Sequence, residues 1–475
     1  MGSSRQAQNL LSEIEVFNED PVRWVQSLRA MSARHFCESL IHEKTRTLAG
    51  LEFETLDRDK IRSVGAEWLK ASFELRLHLN RALGELSETS RIDLISFFRN
   101  LRQVEDYIAE LASTEPDRNA FDLDFKKMKP PLLEPQACSP CQVDPRYRSP
   151  PRFQFKPGDV LVTRGISFMS ATISQITDDR THFSHGVFVH ETPAGEIQTI
   201  ESYLQKGVEF YSLEEALKNE NVRILVFRAL DEDLAKKASD LMGKRVRDLK
   251  AQGQTIPYDY EMDHEDHSRM TCGEVIIAAY KWASQGTFVV PSLSAGIRLK
   301  KPEILKKLNL VVRETFSPVL MEVDPRFQLI LDWRDVSLLR DQRQKDGILQ
   351  KIFEWIELRD YHLKETLATR FLKAFWATRS NRFWQILAKP FDLSDVPLDT
   401  PETFLVTVAQ IRKVGHRLLE EVKKADKLYQ ARQGFPMSER RIAEFLEELR
   451  ERDFALFQQG RANVFHHLLG PNRTV

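Results

Sequence analysis

One cysteine, Cys272, stands where a thiol could act as a nucleophile. It lies in Met270-Thr-Cys-Gly-Glu-Val-Ile-Ile-Ala-Ala-Tyr280, at the polar start of an apolar run with helical spacing. The first turn of a helix leaves N–H groups unpaired and carries the positive end of the dipole, and both favour a thiolate. A purely structural cysteine would sit more naturally inside the apolar run; a quiet thiol is the alternative reading. His185 supplies a base. The segment Phe183-Ser-His-Gly-Val-Phe-Val-His190 reads as a strand, so its side chains alternate between two faces. A lone strand histidine is more often a core residue than a base. Here, however, Thr192-Pro-Ala-Gly195 makes a hairpin turn, and the return strand brings Glu201 and Ser202 within reach of the imidazole. A thiol at a helix start, a base on a strand and a third polar group orienting the base are the layout of Cys-His hydrolysis.

The elements that must position these residues are short strands with interspersed helices. Strands are predicted at Asp159-Val-Leu-Val-Thr163, Phe183–His190, Glu196–Tyr203 and Val222–Phe227, and helices at Phe168–Ile176 and Leu230–Leu249. That mixture is α+β. Residues 8–115 read as helices throughout, with apolar stripes at Phe53–Leu83 and Ile92–Leu111 that form a core and suggest no chemistry. Eight prolines between Pro130 and Pro157 exclude helix and mark a linker. After about residue 330 the chain turns helical again, rich in aromatics such as Phe353, Trp355, Phe371, Phe375, Trp376, Phe383, Trp384 and Phe391. The expected organisation is an N-terminal helical bundle over 1–126, a Pro-rich linker over 127–152, a catalytic domain over 153–330 and a C-terminal helical domain over 331–475. At least one helical flank is expected to pack beside the cleft and narrow it; scaffold on the far side is the alternative.

Composition narrows the function. The 475 residues carry 69 Lys plus Arg against 70 Asp plus Glu, a net charge of -1, which argues against bulk attraction to nucleic acid. The basic stretch from Lys236 to Lys250 reads as a solvated helix face. No apolar run reaches the ~18–20 residues of a spanning helix, although the aromatic C-terminal helices leave peripheral contact with a membrane surface open. Four cysteines are too few for a disulfide scaffold. Cys138-Ser-Pro-Cys141 lacks a second ligand pair for zinc and reads as a linker pair, disulfide-bonded if the protein is exported. His182, His185, His190, His264 and His267, with Asp259, Asp263, Glu265 and Asp266, could in principle gather a metal. Their spacings match neither HxxxH nor a calcium loop, so no metal is expected.

The order of motifs resembles a known family. Gly158-Asp-Val-Leu-Val-Thr-Arg-Gly165, Phe183-Ser-His-Gly-Val-Phe-Val189, Ile200-Glu201, Pro257-Tyr-Asp259, Thr271-Cys-Gly-Glu-Val275 and Pro291 look like the permuted NlpC-type, papain-like hydrolases, and within them the YiiX/YebB-like branch. In that family the histidine precedes the cysteine, as His185 precedes Cys272 here by 272 − 185 = 87 residues. The resemblance covers roughly residues 152–330. It implies a permuted papain-like fold in which Cys272 is the nucleophile, His185 the general base, Glu201 the orienting residue and Tyr258 a helper of the oxyanion. Gly273 departs from the more usual Ser or Thr after the nucleophile.

Together these features lead us to expect a cysteine hydrolase or acyl transferase that cleaves an amide or ester through a thioester and needs no cofactor. The sequence itself does not name the substrate; the family resemblance implies cell-wall peptides, peptidoglycan fragments, or acylated or lipid substrates as its partners. A catalytically idle papain-like module that captures a partner in its cleft is the competing class, disfavoured because binding needs no thiolate. A bacterial envelope setting is favoured over cytoplasm. The opening Met1-Gly2-Ser3-Ser4 has no apolar signal region, but Gly-Ser-Ser is common after the lipidated cysteine of lipoproteins.

Overall fold

The computed structural model describes residues 2–53, 56–113, 141–147, 153–177, 182–218, 221–263, 265–312, 314–366, 369–370 and 400–471. His264, Cys138 and the aromatics from Phe371 to Phe391 lie outside them, as does most of the expected linker.

Helices open the chain: α1 (Gly2–Glu19), α2 (Pro21–Arg29), α3 (Ala33–His35), α4 (Ile41–Gly50), α5 (Arg58–Arg81) and α6 (Glu88–Ala112). The starts of α5 and α6 follow from their caps: Asp57 accepts the N–H groups of Asp59 and Lys60, and Ser87 accepts that of Ser90. The centre comprises β1 (Cys141–Val143), β2 (Val160–Gly165), α7 (Phe168–Ile176), β3 (His185–Glu191), β4 (Ile197–Tyr203), β5 (Gly207–Ser212), α8 (Leu213–Lys218), β6 (Asn221–Ala229), α9 (Glu232–Ala251), α10 (Cys272–Ala283), β7 (Ala295–Gly296), α11 (Pro302–Lys307), β8 (Glu314–Thr315) and β9 (Phe327–Arg334). The chain continues with α12 (Val336–Leu358), β10 (Tyr361–Leu363), α13 (Glu402–Gln433), α14 (Glu439–Gln458) and β11 (Leu469–Pro471).

Seven strands form one antiparallel sheet in the order β1-β9-β6-β2-β3-β4-β5. Mixed helix and antiparallel sheet is the α+β class. Both faces of the sheet are buried. Val160, Val162, Leu225, Phe227 and Leu329 face one core with Met242 of α9 and Val275 and Ile276 of α10; Leu161, Val187, Val189, Ile224, Val226 and Leu331 face another. The alternation along β2 and β6 is the period of two that a strand imposes.

Two strands depart from the sequence-based boundaries. Cys141–Val143, inside the expected linker, pairs with Leu331–Trp333 as the edge of the sheet. Strand β9 runs through position 330, so the sheet extends past the expected end of the central domain. On that edge strand Cys141 is buried, in the same apolar cluster as Val143 and Trp333.

The N-terminal helices do not stand apart from this sheet. Phe73 and Leu77 of α5 share the core that contains α10. Beside them lies a buried charge cluster. Arg76 pairs with Glu322 at 2.7 Å and also meets Asp332; Arg102 pairs with Glu322; Arg223 pairs with Glu105, Asp332 and, at 2.9 Å, Asp106; Arg334 meets Asp332 at 3.1 Å. Four guanidiniums and four carboxylates thus neutralise one another where α5 and α6 meet β6 and β9, and only Asp106 among them is noticeably exposed. Asn80 completes the seam. Its carboxamide accepts the Leu329 N–H at 2.9 Å, where a register shift between β6 and β9 leaves that N–H outside the ladder. On the other side, Phe168, Ala171 and Ile176 of α7 share a core with α12, α13 and α14, and Phe353 and Trp355 of the aromatic run lie fully buried there. Among the described residues, no helix is long and apolar enough to cross a membrane.

Candidate active site

Cys272 is the first residue of α10, and the local sequence explains why the helix begins there. Thr271 caps it: its Oγ1 accepts the Glu274 N–H at 3.2 Å, while the Glu274 carboxylate accepts the Thr271 N–H at 2.6 Å. This reciprocal box pins the first turn. The approach to the nucleophile is fixed as well. The Met270 N–H donates to the Pro257 carbonyl at 2.9 Å, and Ser202 donates from Oγ to the Met270 carbonyl at 2.6 Å. Ser202 therefore anchors the nucleophile's backbone and does not orient the imidazole.

His185 opens β3, and β3 pairs with β4 only from Phe188↔Ile200 onward. The His185 end lies beyond that paired stretch, where the start of α10 enters. Glycine at 186 permits the approach: a Cβ there would come within 3.0 Å of Ile276 Cδ1 and 3.7 Å of the Cys272 carbonyl. The Nε2 of His185 meets Glu201 Oε2 at 2.8 Å, and the histidine side chain also hydrogen-bonds Cys272. With Nε2 engaged by the carboxylate, Nδ1 is the nitrogen left for the thiol. Cys272, His185 and Glu201 are thus brought together.

The electrostatics follow from this contact. Burial alone would push the His185 pKa down, but the Cys272 charge and hydrogen bond, followed by those of Glu201, raise it to about 10. Burial alone would raise the Cys272 pKa; His185 and the N–H groups of Gly186 and Gly273 override it and bring it below the usual thiol value. Both shifts point the same way: they favour a proton on the imidazole and a thiolate on the sulfur.

Tyr258 stands on the segment leading to α10. That segment is held against β5 by the Val208 N–H donating to the Ile256 carbonyl at 2.9 Å. Burial first, then the charges of Cys272 and Glu274, raise the Tyr258 pKa well above the phenol range, so it stays protonated beside the thiolate and can donate. The C-terminal helices reach this segment. The Tyr260 ring packs edge-on against Tyr258 with centroids 5.2 Å apart and against Phe404 at 5.4 Å, and its hydroxyl meets Thr400 Oγ1 at 2.7 Å. A helical flank therefore touches the residue pair beside the nucleophile.

Three neighbours escaped sequence reasoning. Thr199 donates to Glu201 Oε1 at 2.7 Å, Tyr203 donates to Glu201 Oε2 at 2.7 Å, and the Tyr203 ring stacks on His185 with centroids 4.8 Å apart. Their signal was present: 199, 201 and 203 alternate along one strand and so share a face. Phe316, the third, lies against Gly273. A Cβ on Gly273 would meet Phe316 Cγ at 2.7 Å and Cδ1 closer still, which accounts for glycine after the nucleophile.

The other titratable residues considered from sequence lie elsewhere. His190 is buried between Ser239 and Arg247, each at 2.9 Å. His182 contacts Gln103 at 3.3 Å, and His267 packs against Trp282. Asp259 accepts the N–H groups of Glu261 and Asp263 at 2.9 and 2.6 Å, so the acidic stretch is folded on itself. Among the described residues no three His, Cys, Asp or Glu side chains come together as a metal site.

No family model matches the chain, and no curated protein or solved structure matches it.

Proposed function

We propose that the protein is a cysteine hydrolase or acyl transferase, a permuted papain-like enzyme acting on amides or esters. The observation that carries this is His185 held between the thiolate of Cys272 and the carboxylate of Glu201. In the proposed reaction Cys272 sulfur attacks the substrate carbonyl carbon, and the carbonyl π electrons move onto oxygen. The N–H groups at the start of α10 and the Tyr258 hydroxyl stabilise that oxyanion; one such donor is typically worth ~10²–10³ in rate. When the tetrahedral species collapses, the bond to the leaving amine or alcohol breaks and imidazolium His185 gives it a proton. The acyl group is then a thioester on Cys272. Neutral His185 next takes a proton from water, or from an acceptor nucleophile in the transferase variant. The attack releases the acid or the new acyl product and restores thiolate and imidazolium. Cell-wall peptides and acylated envelope substrates are the proposed substrate classes, on the strength of the motif resemblance.

The test is acyl-enzyme trapping. The full chain is mixed with activated acyl esters and with peptidoglycan fragments, quenched in acid and examined by mass spectrometry. An acyl mass on the Cys272 peptide, absent in Cys272→Ser, is the expected result. A thiol that alkylates no faster than free cysteine at neutral pH and never acylates would leave the cleft as a binding module.

A further inference from the structure

We infer that Tyr203 is the positioning residue that locks His185 and Glu201 into line with Cys272. It deepens, and rests on, the proposal that Cys272 and His185 form a working pair. The Tyr203 hydroxyl donates at 2.7 Å to Glu201 Oε2, the same oxygen that faces His185 Nε2 at 2.8 Å. Its ring lies on the imidazole, with centroids 4.8 Å apart and planes 29° apart. One side chain thus restrains the base twice, once through its carboxylate partner and once through its face. The remaining carboxylate oxygen is occupied by Thr199 at 2.7 Å, so Glu201 is gripped at both oxygens. Tyr203 is itself buttressed edge-on by Tyr211, with centroids 5.2 Å apart.

The physical need for such a grip is clear. Glu201 is 1% exposed, and an ionised carboxylate there is costly without donors. Burial acts to raise its pKa, and the hydrogen bonds from His185, Thr199 and Tyr203 bring it below the usual carboxylate value. An imidazole attached through two rotatable bonds can turn away from a thiolate. Glu201 at Nε2 and an aromatic plane on one face leave it the orientation in which Nδ1 meets Cys272. Without the Tyr203 hydroxyl the carboxylate is free to swing off Nε2, the imidazolium loses the second of its two counter-charges, and the proton leaves His185 at lower pH.

The two roles open to Tyr203, positioning and simple packing, separate in one experiment that needs no substrate. Cys272 in the full chain is alkylated with anionic chloroacetate and neutral chloroacetamide from pH 5 to 11, and the rate ratio is followed. An imidazolium beside the thiolate favours the anionic reagent, and that advantage disappears as His185 deprotonates. In the unaltered protein it should persist to about pH 10. In Tyr203→Phe, which keeps the ring and so the fold, it should be lost about one pH unit lower. Thr199→Val should shift it in the same direction. If Tyr203→Phe gives the unaltered profile, Tyr203 is packing alone and the inference is overturned. If the unaltered protein shows no anionic advantage at any pH, the ion pair itself is absent, and the proposed function falls together with the inference.

Discussion

Gly273 and Phe316 occupy adjoining space so tightly that a methyl group on the glycine would have to enter the phenylalanine ring, 2.7 Å from Cγ and nearer to Cδ1. Since Gly273 follows Cys272 directly, the aromatic ring and the nucleophile's peptide set each other's position.

Gly273→Ala should therefore displace either the ring or the first turn of α10. Overpacking of this kind costs about 1–3 kcal/mol, measurable by chemical denaturation, and Cys272 alkylation should slow with it. The double variant Gly273→Ala/Phe316→Ala should recover alkylation relative to the single one. Recovery of neither stability nor reactivity would mean that Phe316 does not govern this turn.

The Cys272 pKa lies below the usual thiol value, so the thiolate forms at lower pH than that of an ordinary cysteine and is lost as pH falls through that lowered value. Alkylation by neutral chloroacetamide should accordingly rise less steeply between pH 7 and 9 than that of a free cysteine and level off at lower pH. An ordinary thiol would speed up about tenfold per unit over the same interval below its pKa. Such a rise would remove the thiolate from the account.

Replacing His185 with Gln removes the first charge that lowers the Cys272 pKa. Burial then dominates and the thiol pKa should rise above its ordinary value. Chloroacetamide labelling at pH 7 should drop by about tenfold or more and return at alkaline pH. Glu201→Gln should act in the same direction but more weakly, because the nearest charge on His185 remains that of the thiolate.

Arg76→Met tests the seam between the helices and the sheet. It leaves Glu322 and Asp332 with fewer partners in a buried setting, and breaking one side of such a cluster costs about 3–5 kcal/mol. The midpoint of denaturant unfolding should fall accordingly, as a single transition that includes the central sheet. Two separate transitions would show the helices and the sheet to be independent units. For the same reason, removal of residues 1–126 should yield unfolded protein and not a free catalytic domain.

What could be read from the sequence was local. The start of α10 was legible because Thr271 and Glu274 stand three apart before an apolar run, and β3 and β4 because alternation and the Thr192–Gly195 turn state a hairpin. The pairing of His185 with Glu201 followed from that hairpin. The rest depends on partners distant in the chain. Strand β1 is three residues among prolines and exists because Leu331–Trp333 lies beside it. Strand β9 places Asp332 and Arg334 in the interior, which no pattern predicts until Arg76, Glu105 and Arg223 are in place. Phe316 reaches Gly273 from 43 residues on (316 − 273), through packing that no spacing rule encodes.

The charge seam also bears on how the chain is made. Arg76 finds Glu105 only 29 residues away, but its other partners, Glu322 and Asp332, follow 246 and 256 residues later. At roughly 5–20 residues per second, a ribosome needs on the order of 10–50 s to deliver them. For that interval α5 and α6 carry arginines that water must solvate, on surfaces that will later be dry. The first hundred residues to emerge are thus among the last to reach their final environment. Their docking, and with it the completion of the sheet beside Cys272, waits for the segment from Glu322 to Arg334 to be synthesised.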